Sequence, residues 1–336
     1  MSVLAAAAPA PSAEPAAITV EGLTTSIRIA RHWHDAVRDV SFEVRRRETL
    51  ALVGESGCGK SLTALSVMGL LPAGVGRISS GRIVVDGVDM TAANEAGKQA
   101  MRGNRIGMIF QEPMTSLNPV LPVGFQIAEA LIQHRGMSRK EAQKRALELM
   151  ELVRIPAAGQ RLDAYPHQFS GGMRQRVMIA IALACSPKVL IADEPTTALD
   201  VTIQAQVLAL LADLQAKEGL AVLLITHNLG VVASVADRIM VMYGGDVVER
   251  APVKAFFRHP THPYSEALLA AMPRVDRPSE ALAPIPGQVP SLPAMPAGCR
   301  YQSRCPLRIE QCVERPPLNP LPAEPEHQVR CWVRAP

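Results

Sequence analysis

Eight residues, Gly54-Glu55-Ser56-Gly57-Cys58-Gly59-Lys60-Ser61, fit the pattern G-x-x-x-x-G-K-[ST]. Glycines at these positions let the backbone curl, so that successive N–H groups point inward at phosphate oxygens. Lys60 can reach the outer phosphates, and the Ser61 hydroxyl is a ligand for Mg²⁺. Two carboxylates, Asp193 and Glu194, close an apolar run further on. Side chains alternate along a strand, so these two diverge. Asp193 can hold the metal beside Ser61, while Glu194 accepts a proton from water. Gln111 ends another apolar run, where its amide can complete the metal shell and orient water. His227 ends a third, where an imidazole would stand beside a terminal phosphate. These residue types fit metal-assisted hydrolysis of a nucleoside triphosphate.

Such groups need strands and helix starts to hold them. Residues 49–53 are continuously apolar and read as a buried strand; residues 62–68, after the loop, read as a helix. The helix N-terminus adds partial positive charge where phosphate would sit. Residues 106–110, 188–193 and 221–226 read as further strands, with a helix over 201–218 between the last two. Continuous apolar strands alternating with helices predict an α/β fold with a buried, mostly parallel sheet. Residues 18–43 alternate apolar and polar, predicting two antiparallel strands around a turn near 31–34, and residues 81–87 read as a short strand. Gly244-Gly245 predicts a hairpin turn. From Glu112 the texture changes to prolines and then helical spacing. Ser138 and Glu141 have capping-box spacing, and a helical insertion is expected over 112–175. Beyond Pro252 the chain is proline-rich, and a smaller second unit is expected over 254–336, after a main domain over 18–253.

The composition narrows the class. Of 336 residues, 48% are hydrophobic and 4% aromatic, which predicts a sizeable, mostly aliphatic core. The net charge is +4, and no run of Lys and Arg is interleaved with aromatics, which argues against a nucleic-acid partner. The longest apolar run, residues 177–185, is far shorter than the ~20 residues of a membrane span. Residues 1–17 are rich in Ala and Pro without a basic segment before an apolar one, and read as a disordered tail rather than a signal peptide. A cytosolic protein is expected, with any membrane contact made through a partner.

Ser170-Gly171-Gly172 precedes a helical run and can form a second anion site at a helix start. Two phosphate sites are one too many for one nucleotide, unless the second serves a partner's. The order of the loop 54–61, Gln111, Ser170-Gly171-Gly172-Met173-Arg174-Gln175, the run 189–194, Thr197-Ala198-Leu199-Asp200 and His227 resembles the ATPase subunit of an ABC transporter over residues 18–249. The resemblance implies a P-loop NTPase with a RecA-like core sheet, an antiparallel β subdomain and a helical insertion. It also implies a head-to-tail dimer, in which Gly54, Glu55, Ser56, Gly57, Cys58, Gly59, Lys60 and Ser61 of one subunit and Ser170, Gly171 and Gly172 of the other clamp one ATP. Glu194 would then be the catalytic base, His227 the γ-phosphate switch, Gln111 the link to the transmembrane partner and Asp200 a contact across the dimer. The usual Leu-Ser-Gly-Gly-Gln signature is here Phe169-Ser170-Gly171-Gly172-Met173, which loses an amide and keeps the groups that face phosphate. The family stacks adenine on an aromatic upstream of the loop. Trp33 is the candidate, and Ile27 occupies another plausible place.

Phe110-Gln111-Glu112-Pro113-Met114-Thr115-Ser116-Leu117-Asn118-Pro119 is similar to the oligopeptide/dipeptide importer branch, as are His262-Pro263-Tyr264-Ser265-Glu266-Ala267-Leu268-Leu269 and Ile285-Pro286-Gly287. That branch takes up dipeptides, longer peptides, glutathione or nickel. It pairs two ATPases, commonly paralogues, with two transmembrane permeases and a solute-binding protein, which places the chain at the cytoplasmic face of the membrane. His259 and His262 read better as buried or capping residues than as a metal pair.

Of six cysteines, four lie near the end: Cys299, Cys305, Cys312 and Cys331, with five, six and eighteen residues between them. In a cytosolic chain this clustering favours a metal over disulfides, and thiolates suit Fe–S clusters or Zn²⁺. By resemblance to members of this branch with the same cysteines, a [4Fe-4S] cluster ranks above Zn²⁺ in a small metal-binding C-terminal extension. Cys58 reads as a variable position of the phosphate loop.

Overall fold

The structure, a computed structural model, describes residues 15–111, 116–196, 200–272 and 285–335. Most of the expected N-terminal tail, residues 112–115 after Gln111, and residues 197–199 before Asp200 lie outside the described residues.

Twelve strands are described: β1 (Ile18–Ile29), β2 (His32–Val44), β3 (Thr49–Val53), β4 (Gly76–Val85), β5 (Val88–Asp89), β6 (Ile106–Ile109), β7 (Val189–Asp193), β8 (Ala221–Thr226), β9 (Arg238–Tyr243), β10 (Asp246–Pro252), β11 (Asn319–Leu321) and β12 (Glu324–Val329). Eight form one sheet in the order β11-β12-β10-β9-β3-β8-β7-β6. Its centre is parallel, with β3 between β8 and β9, and β7 between β8 and β6. The other four form an antiparallel sheet, β2-β1-β4-β5. The β1–β2 turn falls at Ala30 and Arg31, both at positive φ, slightly earlier than the expected position. The β9–β10 hairpin turns on Gly244 and Gly245, at φ 54° and 91°, as the type I′ geometry requires.

Alternation along the parallel strands divides the core. Leu50 and Leu52 of β3, Val189 and Ile191 of β7, and Met240 and Met242 of β9 face the antiparallel sheet and the helix Lys60–Met68. Leu190, Ala192, Val222 and Leu224 face the other way, onto the helices Val123–Arg135, Arg139–Leu152, Gly171–Leu183 and Val201–Glu218. Covering both faces is what lets these strands be apolar throughout. The capping box is present: the Ser138 hydroxyl accepts from Glu141 N–H, and the Glu141 carboxylate accepts from Ser138 N–H at 2.9 Å. The helix that starts at Gly171 continues past residue 175 to Leu183, packed against β6.

Among the described residues, C-terminal segments join the main sheet and its core, beside a small cluster of Val329, Cys331 and Ala335. β12 pairs with β10, so β11 and β12 extend the main sheet. Tyr264 and Tyr301 pack with Val53, Val241 and Tyr243 on that sheet. Pro320 and Pro325 make β11 and β12 poor strands by pattern; Pro320 is tolerated because β11 is the edge strand, and Pro325 because it lies outside the part of β12 that pairs with β10.

Candidate active site at the carboxyl ends of the parallel strands

The loop 54–61 joins the end of β3 to the helix Lys60–Met68. Gly57 and Gly59 have φ of 78° and 105°, which other residues adopt only with strain. At Gly54 a Cβ would stand 2.2 Å from the Met242 carbonyl oxygen, so the close approach of β9 demands glycine there. The Lys60 ammonium is buried and donates to the carbonyls of Gly54 and Glu55, at 2.8 and 3.1 Å. Cys58 is buried, with its sulfur 3.8 Å from Lys60 Nζ, and burial pushes its thiol pKa up.

Neighbouring strand ends deliver the other groups. Asp193 ends β7 beside Ile225 of β8, and Thr226, before His227, pairs with Val53 of β3. The Asp193 carboxylate is hydrogen-bonded to the Ser61 hydroxyl. Its Oδ1 is buried without a hydrogen-bond partner. Burial raises its pKa, Ser61 lowers it, Glu194 raises it and Lys60 lowers it, with a net rise. An unpartnered carboxylate oxygen beside a hydroxyl is a donor set that fits Mg²⁺.

Glu194 takes the left-handed conformation, φ 47°, with its N–H bonded to Ile225 O at 2.9 Å. That kink turns its carboxylate away from Asp193. One oxygen accepts from the Gln111 amide at 3.2 Å, and the other lies 3.2 Å from His227 Nδ1. The structure therefore brings Gln111, Glu194 and His227 into one contact, from the ends of three strands. Glu194 is largely shielded while His227 is exposed.

Ser170 caps the helix Gly171–Leu183, its hydroxyl accepting from Met173 N–H at 3.4 Å. A Cβ on Gly172 would meet Ile203 Cγ2 at 2.6 Å, so that helix start lies close to the next. Asp200 caps the helix Val201–Glu218 through Ile203 N–H at 2.9 Å. None of Ser170, Gly171 and Gly172 lines the cleft beside the loop 54–61. Trp33 does not line it either; the Arg77 guanidinium lies over its ring, 4.3 Å from the centroid. Ile27 does line it.

The family described as "ABC transporter" matches residues 37–197. The "Dipeptide transport ATP-binding protein DppD" of Bacillus subtilis (strain 168) is 49% identical over 317 residues, covering 94% of each chain. The chain belongs to the ABC transporter ATPase family. The family described as "Oligopeptide/dipeptide transporter, C-terminal region" matches residues 248–312 of this ABC ATPase. The "Oligopeptide transport ATP-binding protein AppD" of the same organism is 52% identical over 298 residues, 89% of this chain and 90% of that one. A solved dimeric ATP-binding cassette, MJ0796 in a post-hydrolysis state with ADP and Pi, superposes with a TM-score of 0.64 at 28% identity, over 70% of this chain and 98% of that one.

Sequence reasoning missed two contacts on the phosphate loop of this ABC ATPase, both from C-terminal residues. Glu55 N–H donates to the Tyr264 hydroxyl at 2.9 Å. The Glu55 carboxylate accepts from Arg304 Nη1 at 2.8 Å, and Arg304 is almost completely buried. Nothing in the spacing points to these pairs, since 209 and 249 residues separate the partners. His262 caps the helix Pro263–Ala270, its Nδ1 accepting from Tyr264 N–H. Burial lowers its pKa to about 4, so it stays neutral, as a capping acceptor must.

The four tail cysteines gather in one region. Cys299 N–H donates to Cys312 O at 3.0 Å, and the Cys299 thiol pKa is pushed up to about 12, first by burial and further by the nearness of Cys312, Cys305 and Cys331. Among the described residues, however, no group of three or more His, Cys, Asp or Glu side chains is arranged to hold a metal ion. Among them also, no helix is long and apolar enough to cross a membrane.

Proposed function

We propose that this ABC ATPase powers the import of dipeptides or oligopeptides through partner permeases, working at the cytoplasmic face of the membrane. The observation that carries the hydrolytic part is the Gln111–Glu194–His227 contact beside the Ser61–Asp193 pair. Glu194 is the general base that takes a proton from the attacking water. Gln111 and His227 hold that carboxylate from either side, and His227 senses the γ-phosphate. Lys60 gives up its loop carbonyls for phosphate oxygens, and Ser61, Asp193 and Gln111 would hold Mg²⁺, which would supply neutralisation of the charge developing on the phosphates. Ser170, Gly171 and Gly172 lie away from the chain's own loop cleft. That placement supports a head-to-tail dimer with a second ATPase subunit, in which they grip the partner's ATP and Asp200 contacts the partner. The peptide substrate is supported by the printed names of the Bacillus subtilis relatives and by the C-terminal family match. On this reading the assembly holds two permeases and a solute-binding protein, and ATP closes the dimer while hydrolysis reopens it.

Thiolates are the donors a [4Fe-4S] cluster takes, with Zn²⁺ as the alternative, and four cysteines share this region; to hold either, their side chains would have to draw together from where they stand. In this proposal Cys299, Cys305, Cys312 and Cys331 hold it, and its part is structural: it ties together a region with few large apolar side chains. Protein purified anaerobically should contain iron and sulfide and absorb near ~400 nm. Stoichiometric zinc without sulfide would select the alternative, and no metal at all would remove both.

Glu194→Gln tests the catalytic assignment. ATP binding should survive while hydrolysis falls by about 10²-fold or more. Turnover equal to wild type would reject Glu194 as the base. Vesicles carrying the full assembly should then take up peptide only with ATP and an intact Glu194.

A further inference from the structure

The cleft beside the phosphate loop is walled partly by the C-terminal region. It has a volume of about 340 Å³. Its lining holds Gly57, Gly59, Lys60 and Ser61 of the phosphate loop. The other side chains in it are apolar: Ile27 and Ala36 from the antiparallel strands, Leu62 after the loop, and Pro290, Leu292 and Met295 from the C-terminal region. Among the described residues Lys60 is the one charged residue of the lining. Phosphate-binding loop and apolar surface in one cleft suit a ligand with an anionic part and a flat, apolar part, as a nucleoside triphosphate has.

The C-terminal wall is held in place by several bonds. Leu292–Ala294 forms a 3₁₀ turn, closed by Ala294 N–H on Ser291 O at 2.8 Å. The Met295 thioether packs on Gly244, where a Cβ would stand 3.0 Å from its methyl carbon. Arg38 of β2 donates to Ala297 O at 2.6 Å and to Gly298 O at 3.0 Å. Arg300 donates to Gly244 O and, at 2.8 Å, to Asp35 O. Gly245 N–H in turn bonds Cys58 O of the loop at 2.8 Å. Wall and loop therefore share the β9–β10 turn as a common support.

We infer that Leu292 and Met295, with Pro290, form a base-binding wall of the ATP site, in the cleft they share with Ile27 and Ala36. The purine then lies between aliphatic and thioether surfaces, which suit the flat ring by contact area and by sulfur–aromatic attraction. Trp33, the aromatic upstream of the loop, is committed to Arg77 instead. The inference rests on the ATPase reading and is independent of what is transported.

The test separates the base from the phosphates. Binding of ATP and of inorganic tripolyphosphate to the full chain is measured by calorimetry, with EDTA present to suppress turnover. The double variant Leu292→Ser, Met295→Ser should weaken ATP by about tenfold or more and leave tripolyphosphate within about twofold of wild type. Met295→Leu, which keeps the apolar contact, should keep most of the ATP affinity. Leu292→Ala, at a half-exposed position, should give a smaller loss in the same direction, and serves if the double variant does not fold. Equal losses for both ligands would mean the segment only braces the loop. Unchanged ATP binding, or a base-dependent loss carried by Trp33→Ala alone, would overturn the assignment as well.

Discussion

The ion pair between Arg304 and Glu55 ties the C-terminal region to the second residue of the phosphate loop, and its strength can be worked out from the structure. Arg304 donates to Glu55 at 2.8 Å, to Pro286 O at 2.8 Å and to Ile285 O at 3.3 Å. Its side chain is 5% exposed and that of Glu55 25%. Burial lowers the Arg304 pKa, but Glu55 and Tyr243 more than offset this, so the guanidinium stays charged. Removing one member of a buried pair costs about 3–5 kcal/mol, because the other is left unpaired. Water reaches a quarter of Glu55, so we expect about 2–3 kcal/mol for Arg304→Ala. The cation also lies over Tyr243 and Tyr301, at 5.7 and 6.0 Å from their centroids. That packing is lost equally with or without Glu55, so it cancels in a double-mutant cycle. Urea denaturation of wild type, Arg304→Ala, Glu55→Ala and the double variant should give a coupling of about 1–2 kcal/mol. In the same variants ATP should bind about three- to tenfold more weakly, because the loop has lost an anchor. A coupling below about 0.3 kcal/mol, with both single variants destabilised, would refute the clamp and leave only independent packing effects.

Other expectations follow from particular contacts. His327 is buried against Glu249 at 2.7 Å; burial pulls its pKa down, but Glu249 and Glu324 outweigh this and raise it. A raised folded pKa means the pair's contribution is complete below the unfolded value of about 6.5 and is lost as pH rises through the folded value. Urea midpoints of wild type and His327→Gln should therefore converge as pH climbs through that window, and a difference independent of pH would contradict the assignment. Gly298→Ala places a Cβ 2.3 Å from Val313 O and 2.4 Å from Cys312 O, both backbone. It should destabilise the cysteine region by about 3 kcal/mol or more, read as loss of protease resistance after residue 285. Cys58 is buried and its thiol pKa is raised. Cys58→Ala should keep ATP hydrolysis within about threefold, and iodoacetamide should label Cys58 more slowly than an exposed thiol. Rapid labelling of Cys58 in the native protein would show that the loop opens.

Local patterns were enough to read the chemistry. The loop 54–61 announces itself because only glycine tolerates the φ values and the close approach that phosphate binding needs. The apolar strands ending in Gln111, Asp193 and His227 were visible because a sheet covered on both faces is apolar throughout. Capping at Ser138 was legible for the same reason: the interaction spans three residues. What tertiary structure decided is which strand ends are neighbours. Glu194 meets Gln111 and His227 across 83 and 33 residues, and a left-handed kink at Glu194 aims its carboxylate at both. The C-terminal region's hold on the loop, through Tyr264 and Arg304, was equally invisible. So was its place in the main sheet, since short proline-bearing strands leave no periodic signal. Residue type and spacing thus determined what reaction the chain is equipped for. Only folding, which juxtaposes groups hundreds of residues apart, determined that the end of the chain walls and braces the site.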